Sequence, residues 1–214
     1  MTVMNLEAFS EIIRCMNIDN DGCYVEYSTW KEFESGNTTL TNFNKTFFNG
    51  STKRFISKKE LFNLAKDPAK TQEFIISTIY WGFSGNNQIM NEYRTNFFKT
   101  INKITQAESL INNLRNKNVI NFSSEISNKF SKLNANLGES SYSKLLFFLK
   151  TEINDNKCII LDSKIKCNLK IFKEFESLNN KYNYEQYVIK MNQVSKNLDV
   201  EPEQLEAFIF KLKI

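Results

Sequence analysis

The chain has 214 residues, 41% of them hydrophobic, with 28 Lys and Arg against 24 Asp and Glu. This excludes a natively disordered chain, which combines low hydrophobicity with high net charge, and it suits one core or two small lobes around a cleft. There is no His, and the four Cys (Cys15, Cys23, Cys158, Cys167) form no CxxC pair, so imidazole-dependent triads and the common zinc sites are excluded and neither metal nor cofactor is expected.

In chain order, a short helix is predicted over Met4–Arg14. Asp19-Asn-Asp-Gly22 reads as a turn rather than a calcium loop, because no Glu follows at the closing position. Cys23-Tyr-Val-Glu-Tyr27 reads as a strand, and Gly36 and Gly50 with their Asn, Thr and Ser neighbours as irregular or hairpin structure. Residues 1–70 therefore form a less regular N-terminal region that contains short strands and to which no role attaches. With no charged-then-apolar leader and no apolar run of bilayer length, the chain reads as soluble and cytoplasmic.

From Lys70 the periodicity becomes helical. Phe74, Ile75, Ile79 and Phe83 make one stripe passing Trp81, with Gly82 and Gly85 expected to stop that helix. Phe97-Phe98, Ile101 and Ile104 make a second, and Ala107 to Leu114 a third. Phe122 to Leu133 make a fourth, capped by Asn121 or Ser123, and Leu145–Leu149 belong to a fifth. A sixth is capped by Asp162 or Ser163 and runs to about Phe175, and a seventh covers Tyr184–Val194. The last opens at Glu201-Pro202, where Pro is tolerated in the first turn. The predicted fold is mainly α, with residues 71–214 as one helical domain.

Charge is unevenly spread. Residues 94–170 hold 13 Lys/Arg against 6 Asp/Glu, a net +7, while 1–93 carry −2 and 171–214 carry −1. A basic middle suits a polyanion such as double-stranded DNA, and equally a set of solvated helix faces.

The chemistry concentrates in one stretch. Phe130-Ser-Lys-Leu-Asn-Ala-Asn-Leu-Gly138 reads as a helix and a tight turn, and Glu139-Ser-Ser-Tyr-Ser-Lys-Leu-Leu-Phe-Phe-Leu149 as the next helix. Gly138, Ser140 and Ser141 then sit where free backbone N–H groups can hold a phosphate, or are simply turn residues. Next comes the apolar run Cys158-Ile-Ile-Leu161, from which Asp162 emerges to open a helix. Asp162 is either an N-cap or a carboxylate placed for acid–base work, two roles one residue can combine. Lys144 lies 18 residues earlier and by itself reads as a surface Lys, and Trp81 and Phe83 by themselves read as core. Glu206 reads as half of a structural salt bridge.

This arrangement resembles the helix-hairpin-helix DNA glycosylases, and more closely their 8-oxoguanine glycosylase (OGG-fold) branch, with the hairpin near residues 122–149. Tyr80-Trp-Gly-Phe-Ser-Gly85 resembles the Trp-Gly-Phe-Pro-Gly segment of bacterial OGG-fold relatives. The likeness runs on to Glu201-Pro-Glu-Gln-Leu-Glu-Ala-Phe-Ile-Phe210 and covers roughly residues 70–214. The resemblance implies a hairpin on the DNA backbone, a nucleophilic Lys on the following helix (Lys144), an essential Asp opening a later one (Asp162), and a pocket for an extruded base lined by Trp81 and Phe83.

The hairpin departs from the family pattern, because Asn136-Leu137-Gly138 stands where Gly-apolar-Gly is usual. Counted from the hairpin glycine, the usual Lys position falls near Ser140, one turn before Lys144; counted back from Asp162, it falls on Lys144. As a nucleophile Lys144 has to be neutral, through burial and nearby Lys132 or Lys164.

Three functions follow. In the first, the chain is a DNA glycosylase/lyase for an oxidised purine, with Lys144 attacking the anomeric carbon and Asp162 stabilising the developing charge. In the second, it is an OGG-fold protein of a bacterial antiphage system that acts on a modified purine outside ordinary damaged DNA, with a protein partner. In the third, it is a non-catalytic nucleic-acid-binding module.

Overall fold

Helices carry most of the computed structural model, which describes residues 4–18, 21–83, 103, 107–133, 138–178 and 182–212. A 3-10 turn, Leu6–Phe9, leads into helix α1 (Ser10–Arg14), with the Asn5 side chain accepting from Glu7 N at the start. Strand β1 (Gly22–Glu26) pairs antiparallel with β2 (Lys53–Ser57), from Gly22 opposite Ser57 to Glu26 opposite Lys53. The predicted strand is therefore present. Two helices lie between it and its partner, α2 (Tyr27–Trp30) and α3 (Thr38–Phe48), where irregular structure was expected. Asn37 caps α3 by accepting from Leu40 N at 3.0 Å. Gly36 and Gly50 bracket it at φ +75° and +81°, a region cheap only for glycine.

Helix α4 (Lys58–Lys66) starts on Ser57, whose hydroxyl accepts from Glu60 N. Helix α5 (Thr71–Phe83) buries Phe74, Ile75, Ile76, Ile79 and Tyr80, so it is apolar on nearly every side and runs through the interior. Gly82 does not stop this helix but lies within its last turn. Gly85 and the stripe Phe97–Ile104, apart from Lys103, lie outside the described residues.

Residues 107–114 are helical (α6). A small sheet follows in the order β3 (Asn118–Val119), β4 (Glu152–Ile153), β5 (Asn156–Lys157), the first pair parallel and the second antiparallel. Of the two candidate caps of the fourth stripe, Asn121 is the one used, accepting from Ser124 N at 3.0 Å. A π-turn, Ser123–Ser127, then runs into α7 (Asn128–Lys132). Helix α8 (Glu139–Phe148) follows Gly138.

Helix α9 (Ser163–Leu169) is shorter than predicted and is followed by a separate 3-10 turn, Lys173–Phe175. The break has a long-range cause. Met4 forms a β-bridge with Phe172, donating to Ile171 O at 2.7 Å and accepting from Lys173 N at 3.1 Å, which draws this backbone out of the helix. Helix α10 (Tyr184–Leu198) opens with an Asn183/Gln186 capping box, and α11 (Pro202–Lys211) with the expected Pro.

The buried apolar side chains form one cluster, from Leu6 to Ile209, that draws on α1, α3, α4, α5, α8, α10 and α11. The four cysteines are free thiols. Among the described residues no helix is long and apolar enough to cross a membrane.

Candidate functional site

Asp162 is positioned by an unusual segment. Cys158–Leu161 is fully buried yet belongs to no strand, so its polar backbone must find other partners. Cys158 N donates to Thr151 O at 3.0 Å. Tyr184 Oη donates to Ile159 O and Tyr187 Oη to Ile160 O, both at 2.8 Å. Leu161 N donates to Ser143 Oγ at 3.1 Å. Burial holds both tyrosines well above the ordinary phenol range, which keeps them as donors. Burial likewise pushes the Cys158 thiol up to about 12, so it stays protonated and inert. The run ends on half-buried Asp162, whose Oδ1 accepts from Ile165 N at 2.9 Å and caps α9.

Ser143 ties this segment to α8 one residue before Lys144. Ser143→Ala leaves the buried Leu161 N–H without its acceptor, at a cost of about 1–3 kcal/mol. Urea denaturation should show that loss.

Lys144 is not a surface residue. It is 6% exposed, and its side chain lies against Gly82 of α5. A Cβ on Gly82 would come within 3.0 Å of Lys144 Cδ and 3.2 Å of Cε, so the missing side chain makes the space the lysine uses. Nζ donates to Ser140 O at 2.9 Å and Ser140 Oγ at 2.8 Å. Burial holds the ammonium below the ordinary lysine pKa, while the charges of Asp162 and then Glu206 pull it back up. Lys132 and Lys164, the neighbours expected to lower it, take no part. The two registers of the sequence also meet here. Helical side chains lean toward the N-terminus, so Lys144 carries its nitrogen back one turn onto Ser140.

The other sequence candidates fall around this centre. Trp81 is half-buried, sets its ring edge-to-face against Phe148 at 5.5 Å and accepts at its carbonyl from Cys23 Sγ at 3.6 Å. Phe83 packs partly buried against the core. Gly138 is the exposed N-cap of α8, and a Cβ there would meet nothing within 4 Å. Ser140 and Ser141 are half-buried in its first turn, and Ser140 is engaged with Lys144. Asn136 and Leu137 of the hairpin lie outside the described residues. Trp81, Gly82, Ser140, Lys144 and Asp162 are thus brought to one place by α5, α8 and the start of α9.

Two further pairs were not legible in the sequence as parts of this site. Glu206 makes the salt bridge expected of it, with Lys58 Nζ at 3.3 Å, and both side chains are about 5% exposed. Lys58 also sits over the Phe147 ring at 5.5 Å. Lys164, two residues beyond Asp162, lies over the exposed ring of Phe210 at 4.5 Å. The only local signal was the position of Lys58 directly after a cap, and of Phe210 on the polar side of an otherwise apolar helix. Among the described residues no three Cys, Asp or Glu gather where a metal ion could sit.

A family model described as "Putative 8-oxoguanine DNA glycosylase OGG-like protein" matches residues 17–210. The match takes in residues 17–70, for which the sequence motifs offer no counterpart. No curated protein and no solved structure matches the chain.

Proposed function

Because the chain belongs to the 8-oxoguanine DNA glycosylase OGG-like family, we propose that it removes an oxidised or modified purine from double-stranded DNA, with Lys144 as nucleophile and Asp162 as the assisting carboxylate. The supporting observation is the buried Lys144 ammonium. It lies on Gly82, is held by Ser140 and is kept toward its neutral form by burial. A buried lysine without an ion-pair partner is costly for stability alone, and a nucleophile needs that lone pair.

In this reading the Nζ lone pair forms a bond to C1′ of the target nucleotide as the C1′–N bond breaks. The bonding pair leaves with the base, which takes up a proton. The amine gives up its proton and O4′ takes one up as the sugar ring opens, which turns the adduct into a Schiff base; loss of the C2′ proton then breaks the C3′–O bond and expels the 3′-phosphate, the lyase step. Asp162 lies near enough to Lys144 to act on its charge and would stabilise the positive charge that develops on the sugar. The exposed turn at Gly138 with Ser141 would take the DNA backbone, and Trp81 and Phe83 would face the extruded base.

Asn caps helices as well as Asp does, so Asp162→Asn keeps the fold and removes the charge. Release of 8-oxoguanine from a duplex with C opposite should fall about 10²–10³-fold in this variant. No release by the wild type, together with weak duplex binding, would overturn DNA as the substrate and favour a modified purine outside it.

A further inference from the structure

Three aromatic side chains are exposed among the described residues: Tyr24 at 61%, Phe55 at 43% and Phe210 at 40%. Two of them are directly opposite each other on the antiparallel β1–β2 pair, and their rings meet edge-on with centroids 5.3 Å apart. Strand alternation explains the exposure, since Val25 and Ile56 point into the core and Tyr24, Lys53 and Phe55 point away from it. Lys53 Nζ stands 4.8 Å over the Tyr24 ring. Phe55 has a fixed seat. A Cβ on Gly22 would come within 2.5 Å of its Cζ, so the ring occupies the space over that glycine. Strand β1 is fastened to α5 through Cys23 Sγ on Trp81 O at 3.6 Å, and Asp21, just before it, to α11 through Lys211 Nζ on Asp21 Oδ1 at 3.0 Å. Glu26 lies opposite Lys53 at the far end of the face, away from Asp21.

Resting on the reading that the chain acts on DNA, we infer that the outer face of the β1–β2 pair binds nucleotides that extrusion of the target leaves unpaired in the duplex, with bases stacking on Tyr24 and Phe55 and a phosphate meeting Lys53. Rings open on one face stack only on bases that are not already paired, and a cation beside them meets the backbone that carries those bases. The paired rings alone would also suit a protein surface, but a lysine held over one ring complements a polyanion. The second exposed cation–aromatic pair, Lys164 on Phe210, has its lysine two residues from Asp162 and its ring next to Lys211, at the same end of α11.

The test is fluorescence anisotropy with a labelled, unmodified oligothymidylate, using the full chain. Tyr24→Ala/Phe55→Ala should weaken binding at least about tenfold, as loss of base stacking does. Lys53→Glu should weaken it too and flatten its dependence on salt. Both side-chain sets are largely at the surface, so the double variant should lose only about 1 kcal/mol, the order of a cross-strand pair, and still unfold in one cooperative transition, which excludes a folding defect. Unchanged oligothymidylate affinity in the double variant would overturn the inference, and so would a wild-type dimer that the same variant dissolves. The probe contains no purine, so failure of base excision leaves this result standing and failure here leaves excision standing.

Discussion

On a duplex containing 8-oxoguanine the wild type should form a borohydride-trapped adduct and bind in a salt-sensitive way, and Lys144→Gln should lose the adduct while keeping the affinity. Nothing else described at the site offers an amine in the same place, because Lys58 is committed to Glu206 and Lys164 stands over Phe210. The pH profile carries the more specific expectation. Burial lowers the Lys144 pKa, so its neutral form is reached earlier on the pH scale than for a free lysine, near 10.4. Trapping should therefore rise with pH and level off before about 10.4. The same shift acts on stability. The unfolded chain holds this proton up to about 10.4 and the folded chain releases it sooner, so the wild type gains stability as pH rises through that window. Lys144→Gln should remove that dependence and, at neutral pH, be no less stable than wild type. A residue that costs stability and whose loss abolishes chemistry is functional. An adduct retained by Lys144→Gln would sink its role.

Lys58→Met should be the most destabilising single change, by about 3–5 kcal/mol, because it leaves Glu206 buried without its partner. Glu206→Leu alone should cost a similar amount. The double variant should recover most of the loss, since an apolar pair of similar volume in place of a buried ion pair is often neutral. A urea-denaturation double-mutant cycle measures this coupling. Burial raises the Glu206 pKa even with Lys58 beside it. A raised carboxyl pKa contributes stability that is complete below the unfolded value, about 4.3, and lost as pH rises through the folded value. Lys58→Met should therefore suffer less at pH 5 than at pH 8. The pair joins α4 to α11, so the N-terminal region and the last helix should unfold in one transition; two separate transitions in the wild type would contradict this.

What was legible in the sequence was what is local. The stripes of α5, α8, α10 and α11 have the helical period, with Pro in the first turn of α11, and the structure places them within a few residues of where they were read. Asp162 announced itself as a cap after an apolar run, and it is one. Helix α3 was missed because Thr38-Thr-Leu-Thr-Asn-Phe-Asn-Lys-Thr is rich in side chains that compete for their own backbone and ordinarily favour turns. Its helicity comes from burying Leu40, Asn44, Phe47 and Phe48, with Tyr80 Oη donating to Asn44 Oδ1 at 2.6 Å. The early end of α9 depends on Met4, 168 residues away from Phe172, and no local pattern could show it. Gly82 was read as a stop because glycine usually weakens a helix, but its missing Cβ is used by Lys144 from another helix. Partners distant in sequence, such as Lys58 for Glu206 and the tyrosines behind Cys158–Leu161, leave no periodic trace.

The backward reach of Lys144 onto Ser140 has a consequence for how such sites are inherited. What the site holds in place is a nitrogen atom, and a flexible four-carbon stem lets that atom be supplied from either of two positions one helical turn apart. With Lys144 as the proposed nucleophile, a lineage could exchange the two through an intermediate that carries both lysines, and the nitrogen would keep its place. A search keyed to a fixed count from the hairpin glycine would pass over such a chain. A search keyed to a helix-borne amine facing a neighbouring glycine would recover it.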